Sequence, residues 1–282
     1  MRYVAIQHNG KPVLGLRTAD GNIGIIGDES IESLLARGVD LARHGAQQAV
    51  GEVVSASEAA YLPPLARPPK IICVGLNYAD HAKETKLEQP DYPTLFLRVP
   101  TSLAAHQAPL VRPAASDSLD FEGEVAVVLG KGGRFVDRER ALELVAGYAL
   151  FNDGSVREYQ FRTTQWTAGK NFDRTGGFGP DLVTADELPP GARGLRIETR
   201  LNGQVVQSAN TSDMLFDVAT LISLISDVMT LEPGDVIVSG TPAGIGWTRE
   251  PRLLMKAGDV CEVTVEGLGT LRNPVVDEAD AG

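Results

Sequence analysis

The chain has 282 residues, which at roughly 150 residues per domain predicts about two domains, and its 43% hydrophobic and 22% charged residues are typical of a globular protein. No apolar run approaches the roughly 18 residues of a spanning helix and the first residues resemble no targeting peptide, so we expect no membrane partner and a cytoplasmic location. The formal charge of −11 opposes binding to a phosphate backbone, so we expect a small molecule or a cation as partner and no nucleic acid.

The first 60 or so residues predict a small unit ahead of the main part of the chain. Alternating residues near the start indicate a strand, Asn9-Gly10 indicates a turn, and a helical stretch follows around Ile31 to Arg37. Four prolines between residues 62 and 69 form a semi-rigid linker. We therefore predict a small N-terminal α/β domain over residues 1–66 and a catalytic domain over residues 67–282.

Beyond the linker, short strand signals recur between turn residues, and Asn202-Gly203 predicts a two-residue hairpin. The predicted strands are Ile71 to Val74, Thr94 to Arg98, Val125 to Leu129, Leu195 to Leu201, Val205 to Gln207, Val236 to Ser239 and Val260 to Val265. Helical periodicity is confined mainly to Arg138 to Val145 and to the stretch after Ser212. This pattern predicts a strand-rich α+β fold, and the missing glycine-rich fingerprint and P-loop give no reason to expect NAD or ATP chemistry.

The densest acidic segment is the run from Asp120 to Glu124, which leads into an apolar stretch. If this segment is extended, Asp120, Glu122 and Glu124 lie on one face, because side chains alternate along a strand. Three like charges this close favour a bound Mg²⁺ or Mn²⁺ ion or a protonated carboxyl group. The alternative is a solvated strand end without a ligand, and the segment alone does not decide between the two.

Two further segments carry groups that suit catalysis. Asp153 follows a predicted strand and either forms a plain turn or completes a three-carboxylate metal site with Glu122 and Glu124. His81 and Glu84 are three residues apart, so on a short helix they share a face and can form a pair that activates water. The alternative for His81 is a purely structural histidine.

Two loops complete the candidates. Lys170 stands among small and apolar residues and either binds an anionic carboxylate or enolate or lies on the surface. The segment from Ser239 to Gly246 offers backbone N–H groups and a hydroxyl but lacks a P-loop lysine, so by itself it predicts only a tight loop.

Five motifs follow one another between Ile71 and Val276, namely GLNYADHAKE, DFEGEVAVVLGK, FNDGSVREYQ, WTAGKNFD and SGTPAGIG. In this order they resemble the fumarylacetoacetate hydrolase (FAH) family. The resemblance implies a catalytic domain with a mixed β-sheet roll or barrel, a small N-terminal domain and a homodimer. It also implies an Mg²⁺ or Mn²⁺ ion whose ligands here are Glu122, Glu124 and Asp153.

The resemblance assigns roles to the remaining candidates as well. His81 and Glu84 match the pair that activates water, and Lys170 matches a lysine that contacts the substrate. Gln160 and Thr241 match positions that touch the carboxylate or carbonyl oxygens of the substrate.

Three functions fit these residues. The first is a metal-dependent hydrolase that cleaves a carbon–carbon bond of a 2,4-dioxo acid, of the acylpyruvate or fumarylpyruvate type, through an enolate held at the metal. The alternative is an isomerase, hydratase or decarboxylase of a 2-oxo dicarboxylate such as oxaloacetate or 2-hydroxyhepta-2,4-diene-1,7-dioate. A third, from another class, is an inactive binding protein. Hydrolysis needs the water activated by His81 and Glu84, whereas decarboxylation does not, so these residues separate the two enzymatic functions.

Overall fold

Strands dominate the fold, which a computed structural model describes for residues 1–84 and 91–281. They form a twelve-stranded sheet, a five-stranded sheet and a two-stranded pair. Three parallel pairs occur among antiparallel ones, so the two larger sheets are mixed. The predicted strand-rich α+β fold class is confirmed, and within the described ranges the strands form open sheets rather than a closed barrel.

The large sheet joins the N-terminal strands to strands from the main part of the chain. Its strands are β1 (Arg2–His8), β2 (Lys11–Arg17), β3 (Ile23–Gly27), β4 (Val53–Val54), β5 (Ala60–Tyr61), β6 (Ile71–Gly75), β7 (Thr94–Arg98), β8 (Leu103–Ala105), β11 (Gly123–Leu129), β12 (Val145–Asp153), β14 (Gly176–Thr184) and β17 (Val236–Val238). They are ordered β4-β3-β2-β1-β14-β12-β11-β17-β6-β7, with β5 paired to β1 and β8 paired to β14.

The remaining strands and the helices surround this sheet. The five-stranded sheet has the order β16 (Gln204–Asn210), β15 (Arg196–Leu201), β18 (Val260–Val265), β19 (Gly269–Asp277) and β9 (Leu110–Arg112), and the two-stranded pair is β10 (Leu119–Asp120) with β13 (Ser155–Val156). The α-helices are α1 (Ile31–Ala36), α2 (Leu41–Gln47), α3 (Ala79–Glu84), α4 (Arg157–Gln160), α5 (Thr167–Lys170) and α6 (Val218–Val228). Short 3₁₀ helices cover Pro100–Ser102, Arg138–Leu144, Ala185–Glu187, Pro190–Ala192, Thr211–Asp213 and Glu278–Asp280.

The N-terminal strands are continuous with the main sheet. Strand β1 pairs with β2 on one side and with β14 on the other, where Arg2 lies opposite Val183. Backbone hydrogen bonds therefore join the first residues directly to β14, which in turn pairs with β12. The division into domains at residues 66 and 67 stays a prediction.

Both faces of the large sheet are covered, because alternate residues of its central strands enter different apolar clusters. Val127 of β11 packs in the cluster that also contains Ile222 of α6, whereas Val128 packs in the cluster that contains Leu34 of α1. Helix α6 begins where the Asp217 side chain accepts the Thr220 N–H at 2.8 Å. The strands are thus buried on both sides, which gives the site at their ends a rigid base.

Most predicted elements are found within a residue or two. Strands β7 and β18 have the predicted bounds, and Asn202-Gly203 forms the hairpin turn between β15 and β16. The stretch predicted as a helix from Arg138 is a 3₁₀ helix rather than an α-helix. No helix in the described ranges is both long and apolar enough to cross a membrane.

Candidate active site

Two antiparallel neighbours bring distant carboxylates together. Glu124 lies near the start of β11 and Asp153 at the end of β12, and Gly123 lies opposite Asn152 in the register of this pair. The Asp153 N–H also donates to the Glu122 carbonyl at 2.8 Å. The start of one strand and the end of the next thus form one edge, where three acidic side chains meet.

The acidic side chains of Glu122, Glu124 and Asp153 form a buried triad. One carboxylate oxygen from each lies within 4.8 Å of the others, and all three residues are buried. A single hard cation with oxygen ligands at about 2.0–2.6 Å spans such a group, and carboxylates are its preferred ligands. The donor set therefore fits Mg²⁺ or Mn²⁺, and the structure brings together the three residues predicted from the sequence.

Buried cations hold the triad. The Lys170 Nζ lies 2.7 Å from Glu122 Oε2 and 2.6 Å from Asp153 Oδ2. Arg98 Nη1 lies 2.6 Å from Asp153 Oδ1. Lys170 is only 1% exposed, so it is not a surface lysine, and its contact with the substrate stays a prediction.

The triad members differ in their acidity. Burial by itself raises the pKa of Glu122, but the charges of Lys170 and Arg157 outweigh it and lower this pKa to about 2. Burial raises the pKa of Glu124 well above its usual range, and the like charges of Asp153 and Glu122 raise it further. Glu124 is thus the carboxylate that most needs a cation to stay ionised.

The charges of the site do not cancel. Four buried carboxylates face three buried cations, so with all groups ionised the cluster carries one net negative charge, and a divalent cation would change it to one net positive charge. The groups are Asp120, Glu122, Glu124 and Asp153 against Arg98, Arg157 and Lys170. A divalent cation therefore makes this buried cluster less repulsive to an anion than the same cluster without metal.

Asp120 does not join the triad, and the expectation that it shares a strand face with Glu122 and Glu124 is wrong. Strand β10 ends at Asp120 and β11 begins at Gly123, so the segment between them is not one continuous strand. The Asp120 carboxylate instead lies 2.9 Å from the guanidinium of Arg157. It also accepts the N–H groups of Gly246 at 2.8 Å and Trp247 at 2.9 Å.

His81 and Glu84 lie on α3 beside the cavity, with 3.5 Å between His81 Nδ1 and Glu84 Oε2. Glu84 also accepts the Gly244 N–H at 3.0 Å and the Thr248 hydroxyl at 2.7 Å. Burial by itself raises the pKa of Glu84, but the hydrogen bonds from His81, Gly244 and Thr248 outweigh it and lower this pKa. An ionised Glu84 is thus placed to orient the imidazole, as the helical spacing predicts.

Gln160 and Thr241 also border the cavity. Gln160 Oε1 accepts Arg157 Nη1 at 2.9 Å, and the Thr241 hydroxyl donates to the Gly123 carbonyl at 3.0 Å. The loop that contains Thr241 contributes more than a tight turn, because the Gly240 N–H donates to the Glu124 carboxylate.

Two arginines of the site are not predicted from the sequence. Arg157 Nη1 lies 2.6 Å from Glu122 Oε1, and Arg98 is the last residue of strand β7, for which the sequence predicts only a strand. Its place in the sequence could have identified Arg157, because it follows Asp153 within one motif and precedes Gln160 by three residues on α4. That spacing places Arg157 and Gln160 on one helix face.

The cavity beside the triad encloses about 290 Å³ and is lined by both charged and aromatic side chains. The charged lining includes Glu122, Glu124, Arg157 and Lys170. The aromatic lining consists of Phe96, Phe161, Trp166 and Trp247. The cations of this lining suit an anion.

Residues 70–276 match the family described as fumarylacetoacetate (FAA) hydrolase, C-terminal. The chain is 38% identical over 278 residues to the human mitochondrial oxaloacetate tautomerase FAHD2A, which covers 94% of this chain and 88% of that protein. A fumarylacetoacetate hydrolase structure from Exiguobacterium antarcticum is similar with a TM-score of 0.86 and 35% identity, over 99% of this chain and 100% of that one. A 5-carboxymethyl-2-hydroxymuconate delta-isomerase from Mycobacterium smegmatis is similar with a TM-score of 0.81 and 33% identity, over the same shares.

Proposed function

The chain belongs to the fumarylacetoacetate hydrolase family of enzymes, and on that premise we propose that it interconverts the enol and keto forms of a 2-oxo acid, as a tautomerase or isomerase. The observation that carries the proposal is the buried carboxylate triad with Lys170 beside a cavity. In this reaction the enol oxygen loses a proton and the carbon next to the enol carbon gains one. The reaction therefore needs a site that stabilises a negative oxygen and a group that transfers a proton.

Glu122, Glu124 and Asp153 would hold the Mg²⁺ or Mn²⁺ ion in this proposal. When bound, the ion supplies Lewis-acid polarisation of the carbonyl oxygen next to the reacting carbon. Each of the three carboxylates has a different partner, because Glu122 contacts Arg157, Asp153 contacts Arg98 and Glu124 accepts a backbone N–H. These contacts fix the carboxylate oxygens before any ligand arrives.

Cations and hydrogen-bond donors that line the cavity would position the substrate. Lys170 adds a positive charge beside the triad, and its Nζ lies 5.0 Å from the centre of the Phe96 ring. The amide N–H groups of Gln160 offer hydrogen bonds to carboxylate or carbonyl oxygens, and the Thr241 hydroxyl would do so by releasing the Gly123 carbonyl. Such groups are worth more in a site that excludes water than in solution.

His81 would move the proton. The ionised Glu84 favours a proton on His81 Nδ1, so Nε2 is the ring atom that takes up or gives the proton. Transfer by a positioned side chain contributes about 10²–10⁴-fold to a rate.

The names of similar proteins support an isomerase-type reaction more than hydrolysis. The human relative is an oxaloacetate tautomerase and a structural neighbour is a 5-carboxymethyl-2-hydroxymuconate delta-isomerase. A structure from Mycobacterium marinum, 31% identical with a TM-score of 0.79, is a 2-hydroxyhepta-2,4-diene-1,7-dioate isomerase. Each of these names describes a reaction in which an enol or a double bond shifts.

The test is to add enol-oxaloacetate to the protein with Mg²⁺ and to follow the loss of enol absorbance. The proposal expects a rate well above the buffer rate, which chelation removes. In parallel, pyruvate release from acetylpyruvate measures hydrolysis. An unchanged enol lifetime together with rapid pyruvate release would replace the tautomerase by the hydrolase.

Hydrolysis of a 2,4-dioxo acid is the second candidate, and the His81–Glu84 pair is the observation that favours it. The two side chains border the same cavity as the triad, where a base can deprotonate water beside a distal carbonyl.

The cytoplasmic location and the homodimer stay predictions as well, and size-exclusion chromatography with light scattering tests the dimer.

A further inference from the structure

We infer that Asp120 is a positioning residue that connects the carboxylate triad to the loop that holds Glu84. Its side chain is fully buried and is not part of the cavity lining. It acts through Arg157 on one side and through the backbone of Gly246 and Trp247 on the other. The inference rests on the proposed function for the metal ion and the reaction, and it adds a role for a carboxylate that touches neither.

A short pair of strands places Asp120 beside the start of α4. Strand β10 pairs with β13, and Asp120 lies opposite Ser155, two residues before Arg157. The backbone N–H of Arg157 donates to the Ser118 carbonyl at 3.1 Å, which fixes the start of α4 against the same segment. The Arg157 Nε atom donates to Asp120 Oδ2 at 2.9 Å. The strand pairing thus determines which carboxylate this edge of the guanidinium meets.

The guanidinium of Arg157 is shared between two buried carboxylates. Its Nε atom contacts Asp120, whereas Nη1 lies 2.6 Å from Glu122 Oε1 and 2.9 Å from Gln160 Oε1. A guanidinium is planar and its donors have fixed directions, so a carboxylate on one edge determines where the other edge points. Without the charge of Asp120, Arg157 would be balanced by Glu122 alone and would compete with a metal ion for that carboxylate.

The same carboxylate accepts hydrogen bonds from a neighbouring loop. Oδ1 of Asp120 accepts the Gly246 N–H at 2.8 Å, and Oδ2 accepts the Trp247 N–H at 2.9 Å. A Cβ at Gly246 would lie 2.7 Å from Asp120 Oδ1 and 1.8 Å from the Leu253 carbonyl oxygen, so glycine is what allows this close approach. Asp120 therefore fixes the backbone of the loop at its centre.

Both ends of this loop hold Glu84. The Gly244 N–H donates to Glu84 Oε2 at 3.0 Å, and the Thr248 hydroxyl donates to Glu84 Oε1 at 2.7 Å. Glu84 in turn lies 3.5 Å from His81 Nδ1. The loop that Asp120 fixes is thus the loop that orients the His81–Glu84 pair, so one carboxylate connects the two functional parts of the site.

The test replaces Asp120 by asparagine, which has nearly the same shape. Asparagine has no charge and one acceptor oxygen in place of two, so it cannot serve both the loop and Arg157. We expect the Kd for Mn²⁺, measured by calorimetry, to rise about 10–100-fold. Hydrogen–deuterium exchange of residues 244–248 in chelated buffer should become about threefold faster or more. Neither measurement depends on turnover.

A double variant separates positioning from a purely structural effect. If Asp120 acts on the metal site through Arg157, Asp120→Asn should change the Mn²⁺ Kd about threefold or less in the Arg157→Met background. A general loss of structure would instead change the Kd by the same factor in both backgrounds.

Asp181→Asn is the matched control. Asp181 is also buried and its Oδ1 lies 2.8 Å from Arg17 Nη2, but it is not part of the cavity lining. This variant should be less stable than the parent with the same Mn²⁺ Kd and the same loop exchange. Equal effects of Asp181→Asn and Asp120→Asn on the Mn²⁺ Kd would overturn the inference.

Arg157→Lys covers the case in which Asp120→Asn does not fold. A lysine keeps the positive charge but has no fork that contacts both carboxylates, so its Mn²⁺ Kd should rise by a similar factor. In whichever of these two variants folds, an unchanged Mn²⁺ Kd would overturn the inference. Equal factors in both Asp120→Asn backgrounds, or unchanged loop exchange in Asp120→Asn, would do so as well.

Enol conversion by the same samples keeps this inference apart from the proposed function. A parent that binds Mn²⁺ without converting any enol refutes the proposed function alone. An active parent whose Mn²⁺ Kd and loop exchange are insensitive to Asp120→Asn refutes the inference alone. Loop exchange is measured without metal, so it tests the role of Asp120 independently of the metal ion.

Discussion

Replacing Lys170 by methionine tests whether the buried carboxylates depend on a buried cation. The Nζ contacts Glu122 at 2.7 Å and Asp153 at 2.6 Å, and the residue is 1% exposed. Removing one partner of a buried ion pair costs about 3–5 kcal/mol of unfolding free energy, because the other charge stays buried. Since Glu122 keeps Arg157 and Asp153 keeps Arg98, we expect a loss of about 3 kcal/mol in chelated buffer.

Mg²⁺ should reduce this loss. The site of the variant is one charge more negative, so it binds a divalent cation more tightly, and a ligand at a hundred times its Kd stabilises the folded state by about 2.7 kcal/mol. Urea unfolding of the parent and Lys170→Met, with chelator and with Mg²⁺, measures both quantities. Lys83→Met is the control, because Lys83 and Asp80 form an ion pair in which both side chains are more than three-quarters exposed, and we expect less than about 1 kcal/mol there. A loss below about 1 kcal/mol for Lys170→Met in chelator would refute this reasoning.

Three further outcomes are expected. His81→Ala should slow enol conversion about 10²–10⁴-fold in an absorbance assay while metal binding persists, and an unchanged rate would remove His81 from proton transfer. Burial lowers the pKa of His106 from 6.5 to about 4, and its Nδ1 accepts the backbone N–H of Arg272. As the pH falls, His106 therefore takes up a proton in the unfolded chain at a higher pH than in the folded protein. The free energy of unfolding should decline by about 2 kcal/mol between pH 6.5 and pH 4, after allowance for partial exposure. An equal decline of the urea midpoint in His106→Gln over the same pH range would contradict this assignment. Gly75→Ala should displace the Trp166 ring and shift tryptophan fluorescence, because a Cβ there would lie 2.2 Å from a ring carbon of Trp166, and unchanged spectra would show that the ring does not occupy this place.

The sequence predicts a strand where alternating side chains are bounded by turn residues. It does not predict a strand that is rich in glycine. Strand Val260–Val265 alternates between buried and partly buried residues, which is the signal that periodicity detects. Strand Gly176–Thr184 lies in the middle of the large sheet, yet its glycines resemble a loop. A Cβ at Gly176 would lie 2.6 Å from the Arg98 guanidinium, so this glycine reflects a close approach that only the fold reveals.

The site was predictable where one motif carries the chemistry and not where distant segments meet. Glu122 and Glu124 stand out in a single acidic run, but the break in the strand that turns Asp120 away from them has no local signal. Arg98 is 55 residues from Asp153 in sequence, and its ion pair depends on the pairing of separate strands. Long-range ion pairs of this kind follow from topology, which the periodicity of one segment does not specify.

The most direct test of the account is deuterium exchange at the carbon next to the ketone of a 2-oxo acid, before and after exhaustive chelation. The parent should lose exchange with chelator and regain it with Mg²⁺ or Mn²⁺. Glu124→Gln should remain folded, by circular dichroism, without binding Mn²⁺ or regaining exchange. Full exchange activity in the chelated parent would contradict the assignment of a catalytic metal to Glu122, Glu124 and Asp153.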